Sequence, residues 1–511
     1  LTGFLVQYWA IFVIFLVLIV LWIFLYKRVH IEEEKVMYRK PYFITSVIVL
    51  VLLVPTLIFG IRGFSFKTGV IPLTVMDASK YAHDISQVNI LLNTPFTIIR
   101  TMGKNKGFKE FHFTTDTYIA ENIKPIKQYG REVTKRPNIV LIILEGMGAE
   151  FFGIMNKDTH IPNYRSYTPF LDSLAGEGYY FTNIYSNSIH SIEGISAVTA
   201  GMPTFQTAWV RSGYAQRKVS SLPEIARSLG YQTLFAHGAT NGSMNFDGYT
   251  HQIGYQTYLG RTEFNDERYY NGSWGIDDEP FLQYFAKNIN QMKSPFLATV
   301  FTLSSHGPYK VPEPYKNTFN KGEMPMHNVV AYTDFSLKKF FDTVKKEDWY
   351  TNTIFAIIPD HTTQEYYEYY KQKIAHYRLP IILFSPNKTL IPQGNSNVLG
   401  QQIDIFPTLV DLMGYRKPFR SWGRSLLTDK VDETPRAFVT HTQFYQLIQG
   451  NYIYVLDLQG DVVGVYTKED LNLTHNLKEQ IPHNEEMKKG IADLHAFMQD
   501  FMDRIINDKL K

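Results

Sequence analysis

Short apolar runs alternate with amphipathic stretches along most of the chain after residue 137, and this alternation limits the fold more than any other feature. The strand-like runs are "NIVLIIL", "YQTLFAH", "FLATVFTL", "NTIFAIIP" and "LPIILFS". The stretches between them have helical spacing, as in "TPFLDSLAGEG", "SLPEIARSLG" and "MHNVVAYTDFSLKKFFDTVKK". Strands that alternate with helices predict an α/β fold, in which a mostly parallel sheet is covered by helices on both faces.

The C-terminal part of the chain follows a different pattern. Residues 436–468 alternate apolar and polar side chains between turns at Gln449-Gly450 and Gln459-Gly460. Such alternation is typical of antiparallel strands with one buried face. We therefore expect a small C-terminal antiparallel sheet, closed by a helix near residues 484–506.

Two long apolar segments occupy most of the first sixty residues. Residues 4–26 and 43–61 carry no charged side chain, and helices of that length can cross the roughly 30 Å of a bilayer core. The intervening stretch "YKRVHIEEEKVMYRK" has Lys and Arg close to both apolar segments. We therefore expect two transmembrane helices. Because basic loops stay on the cytoplasmic side, we expect everything after Arg62 to lie outside the cytoplasm.

These patterns divide the chain into three parts. Residues 1–62 are expected to form the transmembrane region, residues 63–134 juxtamembrane helices and a linker, and residues 135–511 a large extracytoplasmic domain. The chain starts with Leu1, and the first apolar segment lacks the basic front of a signal peptide. We therefore expect further spans to precede it.

The composition excludes several kinds of function. The 51 Lys and Arg residues nearly balance the 48 Asp and Glu residues, which leaves a net charge of only +3. No basic tract of the kind that binds nucleic acid is visible, so no nucleic-acid partner is expected. The absence of cysteine rules out disulfides, thiolate metal sites and a cysteine nucleophile.

Acidic residues stand where two of the apolar runs end. Glu145 follows the first run, and Asp360 and His361 follow the fourth. Since the carboxyl ends of parallel strands meet at one edge of a sheet, these three side chains can converge on one divalent ion. Carboxylate and imidazole ligands suit zinc, manganese or a related cation. The alternative for Glu145 is a helix N-cap or a surface acid in the turn.

A candidate nucleophile lies in the serine-rich stretch "YYFTNIYSNSIHSIEGISAVTAGMP". A serine at the start of the following helix would meet free backbone N–H groups, which favour an oxyanion or a bound phosphate. Ser186, Ser188, Ser191 and Ser196 all fit that description, and an ordinary helix N-cap is the alternative for each.

The order of these motifs resembles the lipoteichoic acid synthase branch of the alkaline phosphatase/sulfatase superfamily, from about Ile61 to Leu427. The matching elements are "NIVLIILEGMG", "TPFLDSLAGEGYYFTNIYSNSIHSIEGISAV", "TLSSHGPY", "PDHTTQE", "RLPIILFSP" and "QQIDIFPTLVDLMG". The resemblance implies a sulfatase-like fold, five membrane spans of which this chain holds the last two, and a catalytic domain outside the cytoplasmic membrane of a bacterium.

The resemblance also implies roles for individual residues. Glu145, Asp360 and His361 match the metal ligands, and Ser191 matches the nucleophile, usually threonine, that also contacts the metal. His306 matches a histidine that contacts the substrate's phosphate or head group, and His237 lies in another active-site segment. Asn245 and Arg378 are further candidate substrate-binding residues. Met244 and Phe246 depart from the family pattern, because they stand where the glycerolphosphate polymerases have Trp and Arg.

More than one interpretation is open for several polar residues. Arg378 is expected to hold a phosphate or to form a structural ion pair. His376 is a metal-site support, a substrate contact or a buried structural histidine. Asp404 is expected to cap or orient a helix, and His83, His251 and His441 to be solvated or capping residues.

The resemblance implies a membrane-anchored, metal-dependent phosphotransferase. It would move a phosphoglycerol-like head group from a phospholipid donor, through a covalent Ser191 intermediate, to a glycan or polymer acceptor. One divalent ion is expected, Mn or Mg, with Zn as the alternative. The alternatives are an extracytoplasmic phosphodiesterase, phosphatase or other superfamily hydrolase, and a non-catalytic envelope-binding protein. A true sulfatase is disfavoured because "SIEGI" lacks the Pro and Arg of the sulfatase motif, and a phosphoethanolamine transferase because cysteine is absent.

Overall fold

The computed structural model describes most of the chain, in two compact units, Leu1–Phe64 and Ser65–Lys511. The described residues are 9–28, 39–61, 74–82, 87–102, 108–157, 159, 161–187, 189–205, 207–319, 322–428, 433–441 and 443–511.

The first unit contributes two helices, α1 (Trp9–Arg28) and α2 (Arg39–Ile61). Among the described residues, one segment, Lys40–Gly60 within α2, is long and apolar enough to cross a membrane. The predicted span 43–61 falls inside α2, and the predicted span 4–26 overlaps α1. The start of the first span and most of the basic loop lie outside the described residues.

The second unit contains the remaining helices and all of the described strands. In chain order the helices are α3 (Val88–Leu91), α4 (Thr94–Thr101), α5 (Asp116–Asn122), α6 (Pro169–Glu177), α7 (Ser191–Ala200), α8 (Leu222–Ser228), α9 (Phe246–Ile253), α10 (Arg261–Phe264), α11 (Asp278–Ile289), α12 (Pro325–Val344), α13 (Ile405–Leu412) and α14 (Glu485–Ile506). The strands are β1 (Ile126–Lys127), β2 (Asn138–Leu144), β3 (Tyr179–Tyr185), β4 (Gln232–His237), β5 (Thr257–Leu259), β6 (Phe296–Phe301), β7 (Thr353–Pro359), β8 (Arg378–Phe384), β9 (Gly394–Ser396), β10 (Gly400–Gln401), β11 (Phe419–Arg420), β12 (Arg436–His441), β13 (Phe444–Gln449), β14 (Tyr452–Asp457) and β15 (Val462–Thr467).

The central sheet has nine strands within the described residues, in the order β10-β3-β8-β7-β2-β6-β4-β5, with β9 also pairing with β3. The pairs β2–β6, β2–β7, β4–β6 and β4–β5 are parallel. Strand β8 is antiparallel to both of its neighbours, β7 and β3. The expected mostly parallel sheet is therefore confirmed, with the fifth predicted strand reversed and with β3 as a strand that the serine-rich pattern did not predict.

Strand β2 shows why the sheet is covered on both faces. Its side chains alternate between two cores, and all of them are buried. Ile139, Leu141 and Ile143 face the core that includes α7, α8, α9, α13 and α14. Val140, Ile142 and Leu144 face the core that includes α6, α11 and α12. A continuous aliphatic run is what a strand buried on both faces requires.

The C-terminal region forms the predicted antiparallel sheet and closing helix. The strand order is β12-β13-β14-β15, with every pair antiparallel. Helix α14 supplies Phe497 and Phe501 to an aromatic cluster with Phe205, Phe438 and Tyr445. This cluster attaches the small sheet to the main core.

Helix α7 approaches the end of β7 so closely that only glycine fits at one position. A Cβ atom on Gly194 would overlap the carbonyl oxygen of Asp360. In contrast, a Cβ on Gly176 in α6 would meet no heavy atom within 4 Å.

Replacing Gly194 by alanine should therefore push α7 away from β7. We expect Gly194→Ala to lower the free energy of unfolding by about 1–3 kcal/mol, the usual cost of overpacking. Gly176→Ala, the matched control, should be neutral or stabilising, because alanine favours helices over glycine. Urea denaturation of both variants measures the difference, and equal stability of the two would contradict the close contact.

Candidate active site

The pairing of β2 with β7 brings two carboxylates to one edge of the sheet. Leu144 and Pro359 are paired residues at the carboxyl ends of these neighbouring parallel strands. Glu145 and Asp360 follow them directly, and the backbone N–H of Asp360 donates to the carbonyl of Leu144 at 3.0 Å. The strand register therefore fixes the two acids side by side.

Glu145, Asp360 and His361 form a buried cluster whose potential ligand atoms all lie within 4.8 Å of one another. The Nε2 atom of His361 is 3.3 Å from Oδ2 of Asp360 and 3.6 Å from Oε1 of Glu145. Burial, reinforced by the nearby Asp360 charge, raises the pKa of Glu145 well above its usual range. Among the described residues, His361 is the basic side chain that lies within ion-pair distance of these two carboxylates.

The hydrogen bonds around the cluster leave its inner atoms available to a cation. Oδ1 of Asp360 accepts the N–H groups of Gly146, at 2.7 Å, and His361, at 2.8 Å. Oδ2 is buried and has no hydrogen-bond partner. The Nδ1–H of His361 donates to the carbonyl of Thr362 at 2.7 Å, which leaves Nε2 as a neutral ligand. This donor set fits a divalent metal ion.

Ser191 lies against the same cluster. It is the first residue of α7, after His190 at the N-cap position. Its Oγ donates to Oε2 of Glu145 at 3.2 Å and lies 3.1 Å from Nε2 of His361. Because it begins the helix, Ser191 is also next to backbone N–H groups that stabilise negative charge.

The other predicted serines are in different surroundings. The Oγ of Ser196 bonds back to the carbonyls of Ile192 and Glu193 within α7. Ser186 follows β3, where its N–H donates to the carbonyl of Tyr377, and Ser188 lies outside the described residues. Of the described serines in this group, Ser191 is the one whose Oγ contacts Glu145 and His361.

Three neutral side chains hold the backbone of the cluster, and none of them was predicted as a site residue. Ser305 Oγ donates to the carbonyl of Glu145 at 2.6 Å, and Thr302 Oγ1 accepts the N–H of Glu145 at 3.0 Å. Gln402 Nε2 donates to the carbonyl of Asp360 at 2.6 Å. All three lie in the motifs "TLSSHGPY" and "QQIDIFPTLVDLMG". A hydrogen bond to the backbone of a distant element leaves no periodic pattern in the sequence.

A buried acid also joins the two loops that carry the cluster. Glu150, shortly after Glu145, accepts the backbone N–H groups of Tyr366 and Tyr367 through its carboxylate. Burial raises the pKa of Glu150 to about 7. The loop after His361 is thereby attached to the loop after Glu145.

The predicted substrate-binding histidines differ in exposure. His306 is half-buried, with its ring 4.4 Å from the ring of Trp274. His237 is fully buried, stacks on Phe301 at 4.5 Å and donates Nδ1–H to the Phe301 carbonyl at 3.1 Å. Burial lowers the pKa of His237 to about 4, so that it is neutral at physiological pH.

Asn245 and Arg378 are engaged by the protein itself. The amide of Asn245 donates to Thr74 Oγ1 at 2.8 Å. Arg378 is the first residue of the reversed strand β8, which places it at the same sheet edge as Asp360. Its guanidinium donates to Tyr369 Oη at 2.7 Å and to the carbonyl of Thr182 at 2.8 Å.

Two further polar residues have structural partners. His376 contacts the Glu365 carboxylate through Nδ1. Asp404 accepts the backbone N–H groups of Gln401 and Arg424, at 3.0 and 2.9 Å. Asp404 therefore orients a turn, as expected from the sequence.

The fold and the site define an α/β protein in which a cluster suited to a divalent ion lies beside a serine at the start of a helix. The sulfatase family model matches residues 137–415, more than half of the chain. The chain therefore belongs to the sulfatase family, a family of enzymes.

Curated relatives point to the branch that the motifs resemble. Lipoteichoic acid synthase 1 of Bacillus subtilis is 27% identical over 365 residues, which cover 63% of this chain and 52% of that protein. The lipoteichoic acid synthase of Staphylococcus aureus strain USA300 is 27% identical over 326 residues, which cover 58% of this chain and 48% of that protein. The chain thus spans about half the length of the curated relatives it matches, and the predicted resemblance to this branch is confirmed.

Solved structures confirm the alkaline phosphatase-like fold. A protein of the alkaline phosphatase superfamily from Vibrio parahaemolyticus superposes with a TM-score of 0.64 at 24% identity and covers 76% of this chain and 91% of its own. The lipoteichoic acid synthase LtaP from Listeria monocytogenes superposes with a TM-score of 0.57 at 18% identity and covers 77% of this chain and 98% of its own.

The cluster predicts about one tightly bound divalent ion per chain, since one ligand set of this kind is present among the described residues. Asp360→Asn should lower the metal content of the purified protein severalfold. The asparagine keeps Oδ1 for the two backbone N–H groups but replaces the unpartnered oxygen with an amide nitrogen. Plasma mass spectrometry measures the metal.

Asp404→Asn is the matched control, because Asp404 is also a buried carboxylate held by two backbone N–H groups. Its metal content should equal that of the wild type. Full metal occupancy in Asp360→Asn would show that the ion is bound elsewhere.

Proposed function

We propose that the protein is a membrane-anchored phosphotransferase that moves a phosphoglycerol-like head group from a phospholipid through a covalent intermediate on Ser191. The observation that supports this most strongly is the position of Ser191 Oγ, within hydrogen-bond distance of both Glu145 and His361 at the start of α7. A serine that only capped the helix would not need two buried titratable neighbours.

The roles of the residues follow from their contacts. Glu145, Asp360 and His361, with Ser191 Oγ, would hold the ion, Mn²⁺ or Mg²⁺, with Zn²⁺ as the alternative. When bound, such a cation favours the ionised hydroxyl and neutralises charge on a phosphate oxygen. Ser191 Oγ attacks phosphorus, the bond between phosphorus and the lipid oxygen breaks, and the lipid leaves as an alcohol. The hydroxyl proton of Ser191 goes to solvent, and the departing lipid oxygen takes up a proton from solvent. The start of α7 stabilises the negative charge on the transferred phosphoryl group.

The second half of the reaction restores the free serine. A hydroxyl of a glycan or growing polymer attacks the same phosphorus, and the bond to Ser191 Oγ breaks. His306 is the proposed contact to the phosphate or head group, because it is half-buried at the same edge of the sheet. If water replaced the acceptor, the same residues would catalyse hydrolysis of the diester.

The proposed location is the outer side of a bacterial cytoplasmic membrane. The apolar segment Lys40–Gly60 and the basic residues before it support this orientation. An anchored enzyme meets a phospholipid donor at the membrane surface, where the head group is exposed.

Substitutions at Ser191 should change turnover of the donor without preventing its binding. Ser191→Ala should abolish turnover of an anionic phospholipid in vesicles but leave the fold intact, because only the attacking oxygen is removed. Ser191→Thr should keep measurable activity, at a loss of roughly tenfold, since a hydroxyl remains and a methyl group must be accommodated. Release or transfer of radiolabelled head group measures turnover.

Ser196→Ala is the control, because the Ser196 hydroxyl bonds only to carbonyls of its own helix. It should turn over at the wild-type rate. Normal turnover by Ser191→Ala would exclude Ser191 as the nucleophile, and a free head group as the sole product would identify a hydrolase.

A further inference from the structure

A cavity of about 400 Å³ lies beside α7, the helix that Ser191 begins. Asn245 lines this cavity, and it is the one residue of the predicted site that does so. Ile192, which follows Ser191 in α7, forms part of its wall. The volume is within the range of pockets that bind small organic ligands. A larger cavity, of about 980 Å³, is lined by residues such as Arg165, Tyr167 and Phe319, and by none of the metal-cluster residues.

The smaller cavity is lined by both apolar and cationic side chains. Val75, Met76 and Val210 are buried apolar lining residues. Arg100 and Arg211 also line the cavity, and none of its described lining residues is acidic. The cavity therefore combines positive charge with hydrocarbon, the combination that an anionic lipid requires.

Arg211 is the cation best placed for an incoming anion. Its side chain is exposed and has no ion-pair partner among the described residues. It lines the same cavity as Ile192, the residue that follows Ser191 in α7. A guanidinium binds phosphate oxygens through two parallel N–H groups.

The opposite wall comes from the juxtamembrane segment. The helical turn Val75–Tyr81 is held against α9 by a hydrogen bond from Ser79 Oγ to the carbonyl of Gly248 at 2.8 Å and by the Lys80–Asp247 ion pair at 2.7 Å. Arg100 and Thr101 bring the end of α4 to the same cavity.

Helix α4, whose end lines the cavity, also carries exposed apolar side chains. Ile98 in α4 is 57% exposed, and Met102, just after it, is 75% exposed. Exposed large apolar side chains are suited to contact with other apolar material. Hydrocarbon chains that leave the cavity past α4 would meet such side chains.

We propose that this cavity binds the phospholipid donor, with Arg211 on an anionic oxygen of the lipid and the apolar wall of Val75, Met76 and Val210 on the first carbons of its acyl chains. The inference rests on the proposed function for the identity of the donor. It adds a lipid subsite, formed partly by the juxtamembrane segment, and names Arg211 as a residue that selects lipid over soluble diesters.

The test compares two donors in the full-length chain reconstituted in nanodiscs. One donor is dioleoyl phosphatidylglycerol in the nanodisc bilayer, and the other is the soluble diester bis-p-nitrophenyl phosphate. Arg211→Gln should lower kcat/KM for the lipid about tenfold, mainly through KM, since a charge-assisted hydrogen bond is lost. The soluble diester should change less than about twofold, and Arg211→Lys should recover part of the loss.

Arg217→Gln is the matched control, because Arg217 lies in the same loop region but pairs with Asp508 and stacks on Tyr214. It should match the wild type with both donors. An equal loss with both donors in Arg211→Gln, or no loss with either, would overturn the lipid subsite.

A binding measurement keeps this inference separate from the catalytic proposal. In the Ser191→Ala protein, a phosphatidylglycerol carrying a photoreactive group near the start of its acyl chain should label peptides that contain residues 74–76, 207–212 or 244–249. Labelling there without Ser191-dependent turnover in the wild type would retain the subsite and refute the proposed function. Labelling elsewhere, or competition by free glycerol phosphate as effective as by lipid, would overturn the subsite.

Discussion

The register between β2 and β7 is the constraint on which the rest of the site depends. It places Glu145 and Asp360 side by side at the carboxyl edge of the sheet, each following a fully buried strand. Removing two like charges from water costs several kcal/mol for each ion unless a countercharge compensates. A divalent cation held by the cluster would supply that countercharge. The close approach of α7 at Gly194 then brings Ser191 to the same point.

Much of this could be predicted from the sequence, because its causes are local. Aliphatic runs long enough for one strand predicted β2, β4, β6 and β7, and the acids at two run ends predicted that Glu145, Asp360 and His361 would meet. The direction of β8 could not be predicted, since an aliphatic run buried on both faces looks the same in either orientation. Strand β3 was not predicted because "YYFTNIY" mixes aromatic and polar residues that are only partly buried.

The residues around the catalytic cluster depend on tertiary contacts that a single sequence does not reveal. Ser305, Thr302 and Gln402 hold backbone groups of other elements. Phe246 packs edge-on against both His237 and Phe301, so this position carries an aromatic ring and not a guanidinium. Arg211, from a different loop, lines the cavity beside α7. The proposed donor site therefore takes its positive charge from a different position in the chain.

The central claim is that Ser191 carries the transferred group during turnover, and the most direct measurement is mass spectrometry of the protein after brief incubation with phosphatidylglycerol vesicles and Mn²⁺. The account predicts an added mass equal to a glycerol phosphate residue on the peptide that contains Ser191. The adduct should be absent from Ser191→Ala. An adduct on another serine, or turnover with no adduct on rapid quenching at any time, would contradict the account.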